Sequence, residues 1–255
     1  MPYVCVAGED LYYRDVGVPG GLPVVILHSG WGYAYYPFDA AIDGIARRFV
    51  VPDRTGYGKS PARDDLPPGF HARYADETDG LLDALDIPRC AVWGHSNGAV
   101  IAALLAIGNP ERFAGVVLEA LHLDRVKPRS REFFTQMAEA PDSFGDRVAA
   151  KLAAEHGERW RTIIRADGRA WLHIAATPDE GLLDGRLHDL VVPTLVIHGA
   201  GDPRTEPGEL DRLCEDVPHA QVHVLAAGKH SPHSEPLTSV EVTRLVAAFV
   251  HSVET

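Results

Sequence analysis

Along the chain, short runs that are apolar at nearly every position alternate with stretches whose apolar residues repeat at helical spacing. The runs at 24–27, 115–118 and 194–197 are the most uniform. Unbroken apolarity suits parallel strands covered on both faces, because a half-exposed strand alternates with polar residues. The pattern predicts strands at about 2–7, 11–15, 24–28, 49–52, 90–94, 115–119, 194–198 and 221–225. Helical patterns fall near 38–48, 74–85, 97–108, 207–215 and 238–251. In the last of these, Val242, Leu245, Val246 and Phe249 share one face. Strand–helix alternation of this kind predicts an α/β architecture, a doubly wound and mostly parallel sheet of eight strands.

One stretch breaks the alternation. From 122 to 189 no strand pattern is present, and helical patterns cover Arg131–Ala140, Arg147–Glu155, Glu158–Ala176 and a short piece near 179–184. The chain therefore divides into a core, 1–121 with 190–255, and a helical cap, 122–189, expected over the carboxyl edge of the sheet. The cap holds 11 Lys+Arg and 12 Asp+Glu, a net −1, which leaves −11 on the core.

Composition narrows the class. The 255 residues carry a formal charge of −12, which argues against nucleic acid as a partner. A chain this long buries enough surface to need no disulfide or metal staple. No apolar run approaches the ~18 residues of a membrane span, and the start MPYVCVAGED lacks a secretory leader's basic and apolar regions. Cys5, Cys90 and Cys214 are odd in number and far apart. They read as reduced thiols in a cytoplasmic protein, expected to be a monomer or homodimer away from membranes.

The strongest chemical signal is Gly94-His95-Ser96-Asn97-Gly98, which follows the strand at 90–94 and opens the helix at 97–108. Flanking glycines let the backbone turn sharply and lift Ser96 to the strand end. There its hydroxyl meets a helix N-terminus, whose unpaired N–H groups favour developing negative charge. A nucleophilic serine needs a base, and the base an orienting acid, in the chain order Ser, Asp or Glu, His. Asp202 lies in the turn Gly199-Ala200-Gly201-Asp202-Pro203 after one strand, and His230 in the loop 226–233 after another. Glu119, at the end of the strand 115–119, is the alternative acid, and His233 the alternative histidine. The oxyanion hole is expected from two backbone N–H groups, those of Asn97 and Gly30, with Trp31 in reserve.

Other signals fall away. Gly58-Lys59-Ser60 resembles the end of a phosphate loop, but Asp53 stands where its first glycine belongs. Gly56-x-Gly58 lacks the third glycine of a dinucleotide loop, since position 61 is Pro. His219, His223, His230 and His233 are clustered, yet no metal-binding helix or cysteine pair accompanies them. Neither a metal nor a cofactor is expected.

With these residues in place, the chain resembles the α/β-hydrolase superfamily over essentially its whole length. Leu27-His28-Ser29-Gly30-Trp31-Gly32 resembles the family's oxyanion loop, and Asp53–Ser60 its D-x-R-G-x-G-x-S turn, read as structural. Gly94–Gly98 resembles the nucleophile elbow, and His198–Asp202 with Gly228–Pro236 the acid and histidine loops. Ser29 and Ala99 stand where glycine is usual, and both are small. The resemblance implies Asp202 as acid and His230 as base. Tyr74–Leu85, the helical cap and Gly228-Lys229-His230 look similar to valacyclovir-hydrolase-like esterases. Those enzymes place an Asp after the nucleophile to hold a substrate amino group, whereas this chain has the neutral Asn97.

The implied activity is that of a serine hydrolase cleaving small or medium uncharged carboxylic esters through an acyl-enzyme. Trp31, Tyr33, Tyr35 and Tyr36 are candidates for one pocket wall. Phe133, Phe134, Trp160 and Trp171 are candidates from the cap. Of these, Trp31, Tyr35, Trp160 and Trp171 are the favoured substrate contacts. A C–C bond hydrolase or a perhydrolase would use the same three residues. Halide- or epoxide-opening members need a carboxylate at position 96. A catalytically idle ligand-binding receptor on the same fold is the reading of a different class.

Overall fold

The computed structural model describes residues 2–177, 182–183 and 185–254. Eight strands form one sheet: β1 (Tyr3–Val6), β2 (Glu9–Gly17), β3 (Val24–Leu27), β4 (Arg48–Pro52), β5 (Cys90–His95), β6 (Phe113–Glu119), β7 (Thr194–Gly199) and β8 (Gln221–Leu225). Their order across the sheet is β1-β2-β4-β3-β5-β6-β7-β8. β2 runs antiparallel to both β1 and β4, and every other neighbouring pair is parallel.

The uniform apolarity of the central strands has its reason in the layers. Every residue of β3, β5, β6 and β7 is buried. Alternate side chains enter opposite cores, as pleating requires. Val25, Leu27, Val92, Val116 and Val196 join one core. Val24, Ile26, Trp93, Val117 and Ile197 join the other. The first core is closed by α2 (Phe70–Ala84) and α3 (Asn97–Gly108), the second by α1 (Asp39–Gly44) and α8 (Ser239–Glu254). A further helix, to be numbered α7 (Glu209–Asp216), precedes β8. The pattern predicted a longer first helix, 38–48. It ends at Gly44 because Ile45 is already extended (φ −120°, ψ 116°) and leads the chain into β4.

Between β6 and β7 the chain forms α4 (Arg131–Glu139), α5 (Asp146–His156) and α6 (Trp160–Ala175). The helical piece expected near 179–184 lies mostly outside the described residues. α5 docks on the loop after β3. The Glu155 carboxyl accepts N–H bonds from Tyr33 (2.8 Å) and Ala34 (2.9 Å). His156 donates from Nε2 to the Trp31 carbonyl and accepts at Nδ1 from Gly58 N–H, both at 3.1 Å. On the far side, Lys127 pairs with the buried Glu209, which also accepts from the N–H groups of Leu123 and Asp124. Among the described residues, no helix is long and apolar enough to cross a membrane.

Candidate active site

Ser96 sits at the tip of a turn between β5 and α3 with φ 57° and ψ −116°. For a non-glycine residue that is a strained conformation, costing about 1–3 kcal/mol. Two close approaches hold it. A Cβ on Gly94 would stand 2.0 Å from the Gly98 carbonyl oxygen, and one on Gly98 2.0 Å from that of Leu27. Only glycine lets the strand, the turn and β3 come this near. Asn97 then begins α3, so its N–H is one of the groups a helix leaves without an internal partner.

Two other strand ends meet this turn. His230 Nδ1 lies 2.9 Å from Asp202 Oδ2, and His230 Nε2 lies 3.1 Å from Ser96 Oγ. The aspartate accepts from Nδ1–H, which leaves Nε2 free to accept the serine proton. Burial acts to raise the Asp202 carboxyl, but the adjacent His230 and the Arg204 N–H outweigh it and hold the group well below the usual carboxylate range. His230 is shifted down, first by burial and then by the Arg204 guanidinium, with Asp202 pulling the other way. The resting pair is therefore an ionised acid beside a neutral base.

The base loop is clamped from both sides. Glu235 accepts from the N–H groups of Lys229 (2.7 Å) and Ser231 (2.9 Å). His95, the residue before Ser96, bonds the His230 carbonyl oxygen at 2.9 Å. The alternative acid and histidine pair with each other instead. Glu119 Oε1 accepts from His233 N–H (2.9 Å) and His233 Nδ1 (2.8 Å), and the His233 ring stacks on Phe38 at 3.8 Å. Arg54, in the turn read as structural, donates to the Ser29 carbonyl at 2.8 Å and so fixes the loop that carries Gly30.

A cavity partly open to solvent lies over Ser96. Gly30, Asn97, Trp31 and Trp171 line it, as the sequence suggested. Tyr35 and Trp160, favoured as contacts, do not. Tyr35 packs edge-on behind Trp31, with 4.7 Å between ring centres, and its neighbour Tyr36 takes the lining position. Trp160 starts α6 three turns before Trp171. The two share a face, but lie about 16 Å apart along the axis. Trp160 is buried in the core, with the Arg161 guanidinium over its ring.

Four lining residues were not foreseen from sequence: Met137 and the polar His122, Asp167 and Arg204. His122 Nε2 lies 3.3 Å from Ser96 Oγ, and its ring stacks on His230 at 5.7 Å. The serine has one proton, and where that proton is directed to His230 Nε2 the contact with His122 is one in which His122 donates. Its signal was its place just past the end of β6. Asp167 lies as a lone carboxyl on the apolar face of α6, between Ile163 and Trp171.

Comparison with known proteins places the chain in a family. Residues 24–242 match the model of the alpha/beta hydrolase family. The chain belongs to that family. As an α/β hydrolase it is 26% identical over 252 residues to the serine hydrolase BPHL of Mus musculus, covering 97% of this chain and 85% of that one. It is 28% identical over 255 residues to a 2-hydroxy-6-oxo-2,4-heptadienoate hydrolase of Pseudomonas putida, covering 89% and 88%. Among solved structures, a thermophilic esterase from Thermogutta terrifontis superposes with a TM-score of 0.76 at 22% identity, covering 99% and 98% of the two chains. At that identity the likeness is one of fold.

Proposed function

We propose that this α/β hydrolase cleaves small or medium, uncharged carboxylic esters through an acyl-enzyme on Ser96. The observation that carries the reading is the unbroken chain of hydrogen bonds from Asp202 Oδ2 through His230 to Ser96 Oγ, at 2.9 and 3.1 Å, under a cavity. Ser96 attacks the ester carbonyl while His230 Nε2 takes its proton. Asp202 holds the imidazole in the Nδ1–H tautomer and stabilises the imidazolium. The N–H groups of Asn97 and Gly30 receive the oxyanion, one such donor contributing about 3–4 kcal/mol. His230 then passes its proton to the leaving alkoxide. Water repeats the attack on the acyl-enzyme with His230 again as base, and no cofactor enters.

The lining supports the substrate class. Trp31, Phe133, Phe134 and Trp171 give apolar walls suited to an uncharged, partly apolar acyl group. The test is labelling by a fluorophosphonate probe, with turnover of p-nitrophenyl esters of increasing chain length. Ser96→Ala should abolish both, with a fall in kcat of about 10⁶. A folded variant that keeps a tenth of the activity removes Ser96 from the role, and a wild type that the probe does not label is the idle receptor.

One observation favours a second reading, hydrolysis of a C–C bond in an anionic dienone. Arg204 lines the cavity with its guanidinium 4.2 Å over the Phe133 ring, and no ion pair is formed by it among the described residues. It would suit a substrate carboxylate such as the one in the name of the Pseudomonas relative's substrate. Turnover of dienone acids in preference to every ester would replace the ester reading.

A further inference from the structure

One group in the cavity is used neither by Ser96 nor by its base. Asp167 reaches in from α6 and is 1 % exposed. Its Oδ1 accepts the Tyr57 hydroxyl at 2.7 Å, while Oδ2 has no partner. A buried oxygen left unpaired destabilises the fold, and such a group is retained where a ligand satisfies it. Burial pushes this carboxyl up to about 8, against the Tyr57 hydrogen bond and the field of Arg54.

Asn97 presents the complement. Its side-chain Oδ1 lies 3.2 Å from His71 Nε2. Burial drives His71 down to about 3, so the ring is neutral and donates from Nε2 to that oxygen. The amide nitrogen is thereby turned the other way. A Cβ placed on Gly30 would stand 2.7 Å from Asn97 Nδ2 and 3.0 Å from Asp167 Oδ2. Both atoms converge on the bare face of Gly30, within reach of one bridging oxygen and next to the expected oxyanion position.

We propose that Asn97 Nδ2 and Asp167 Oδ2 bind a hydroxyl on the acyl chain, one or two carbons from the scissile carbonyl, so that hydroxyacyl esters are the preferred substrates. This rests on the reading of Ser96 as an esterase nucleophile. A hydroxyl accepts from the amide and from the protonated carboxyl at pH 7, and at pH 9 it donates to the carboxylate instead. An ammonium group is a donor only and would confront the Asn97 N–H. A methyl would leave Oδ2 unpaired.

The experiment compares phenyl 2-hydroxypropanoate with phenyl propanoate and phenyl 2-aminopropanoate, alongside fluorophosphonate labelling of Ser96. The wild type should favour the hydroxy ester over propanoate by tenfold or more in kcat/KM, at pH 7 and at pH 9. Asp167→Leu should bring that ratio to about one, and Asp167→Asn, which keeps a polar group for the hydroxyl, should retain part of it. The wild-type ratio decides the matter even if the leucine variant does not fold. Labelled, active enzyme with no hydroxyl preference overturns the proposal and leaves the esterase reading standing. Preference for the amino ester, or a hydroxyl advantage lost at pH 9, also overturns it. Absence of both labelling and ester turnover removes the two readings together.

Discussion

Two buried carboxyls end neighbouring strands of the sheet, and their amides should fail in opposite ways. Glu119, at the end of β6, is fully buried, and three donors converge on it: His233 N–H and Nδ1 on Oε1, and Trp93 Nε1 on Oε2 at 3.1 Å. In Glu119→Gln one of the two oxygens becomes an NH₂ group. Whichever way the amide turns, a donor faces a donor, and either Trp93 or His233 loses its acceptor. One lost hydrogen bond with an unsatisfied buried donor costs about 2–4 kcal/mol. For a chain of this size that lowers Tm by roughly 5–15 °C. None of these contacts touches Ser96, so kcat on a p-nitrophenyl ester should stay within about threefold at a temperature where the variant is folded. Asp202→Asn should do the reverse. It offers an N–H to His230 Nδ1 or loses the bond, and the ring then settles with its proton on Nε2, facing Ser96. The expected loss is about 10⁴ in kcat, about 5 kcal/mol of transition-state stabilisation. The assay is thermal unfolding beside initial rates for both variants. A folded but inactive Glu119→Gln with an active Asp202→Asn would refute the reasoning and move the acid to β6.

His230→Ala should remove activity as fully as Ser96→Ala, while His233→Ala, which strips a partner from Glu119, should lower Tm and leave a measurable rate. Because burial and Arg204 shift His230 down, the neutral base persists below pH 6.5. kcat/KM should therefore stay level from pH 8 through 6.5 and fall only at lower pH. Stability from keeping the ring neutral is present above 6.5 and is lost on acidification. Arg204→Gln removes a lowering charge, so the acid limb of the rate profile should move to higher pH; a limb that stays put would exclude the guanidinium as a cause. Trp171→Ala should change relative kcat/KM across an ester series, whereas Trp160→Ala should lower Tm with the series order intact.

Much of this site was legible because its chemistry is local in sequence. The elbow is five consecutive residues, Asp202 follows the apolar strand β7 and His230 follows the edge strand β8, so strand ends alone bring three separated residues together. What sequence could not give depends on how α4–α6 rotate over the sheet. Helical spacing puts Trp160 and Trp171 on one face but says nothing of which turn of α6 stands over Ser96. Tyr35 and Tyr36 are adjacent in the chain, and only the fold of the loop sends Tyr36 to the cavity and Tyr35 behind Trp31. His122 and Asp167 were missed for a further reason: each is polar among apolar neighbours, and a single such residue carries no pattern until the surface opposite it is known.

The same contacts bear on how the insert between β6 and β7 works. Divided by sequence, it is a separate cap laid over a finished catalytic core. In the structure α5 supplies partners for the loop that carries Gly30. Glu155 takes the N–H groups of Tyr33 and Ala34, and His156 bridges the Trp31 carbonyl to Gly58 N–H. α6 supplies Asp167 and Trp171 to the cavity itself. Lifting the insert as one body would break these four hydrogen bonds to the loop after β3 and its neighbouring turn, and with them those of Lys151 to the Tyr35 carbonyl and of the Tyr57 hydroxyl to Asp167, at about 1 kcal/mol net each. Burial pushes the Glu155 carboxyl up to about 7, against its two backbone N–H partners. Raising the pH through that value ionises the carboxyl. The two N–H groups favour the ionised form but burial outweighs them, so the docking of α5 contributes most below the ordinary carboxylate range and declines as pH rises towards about 7. The insert and the loop after β3 are in this sense one unit, and if that loop serves the oxyanion as proposed, substitutions on α5 far from Ser96 should register in kcat as well as in Tm.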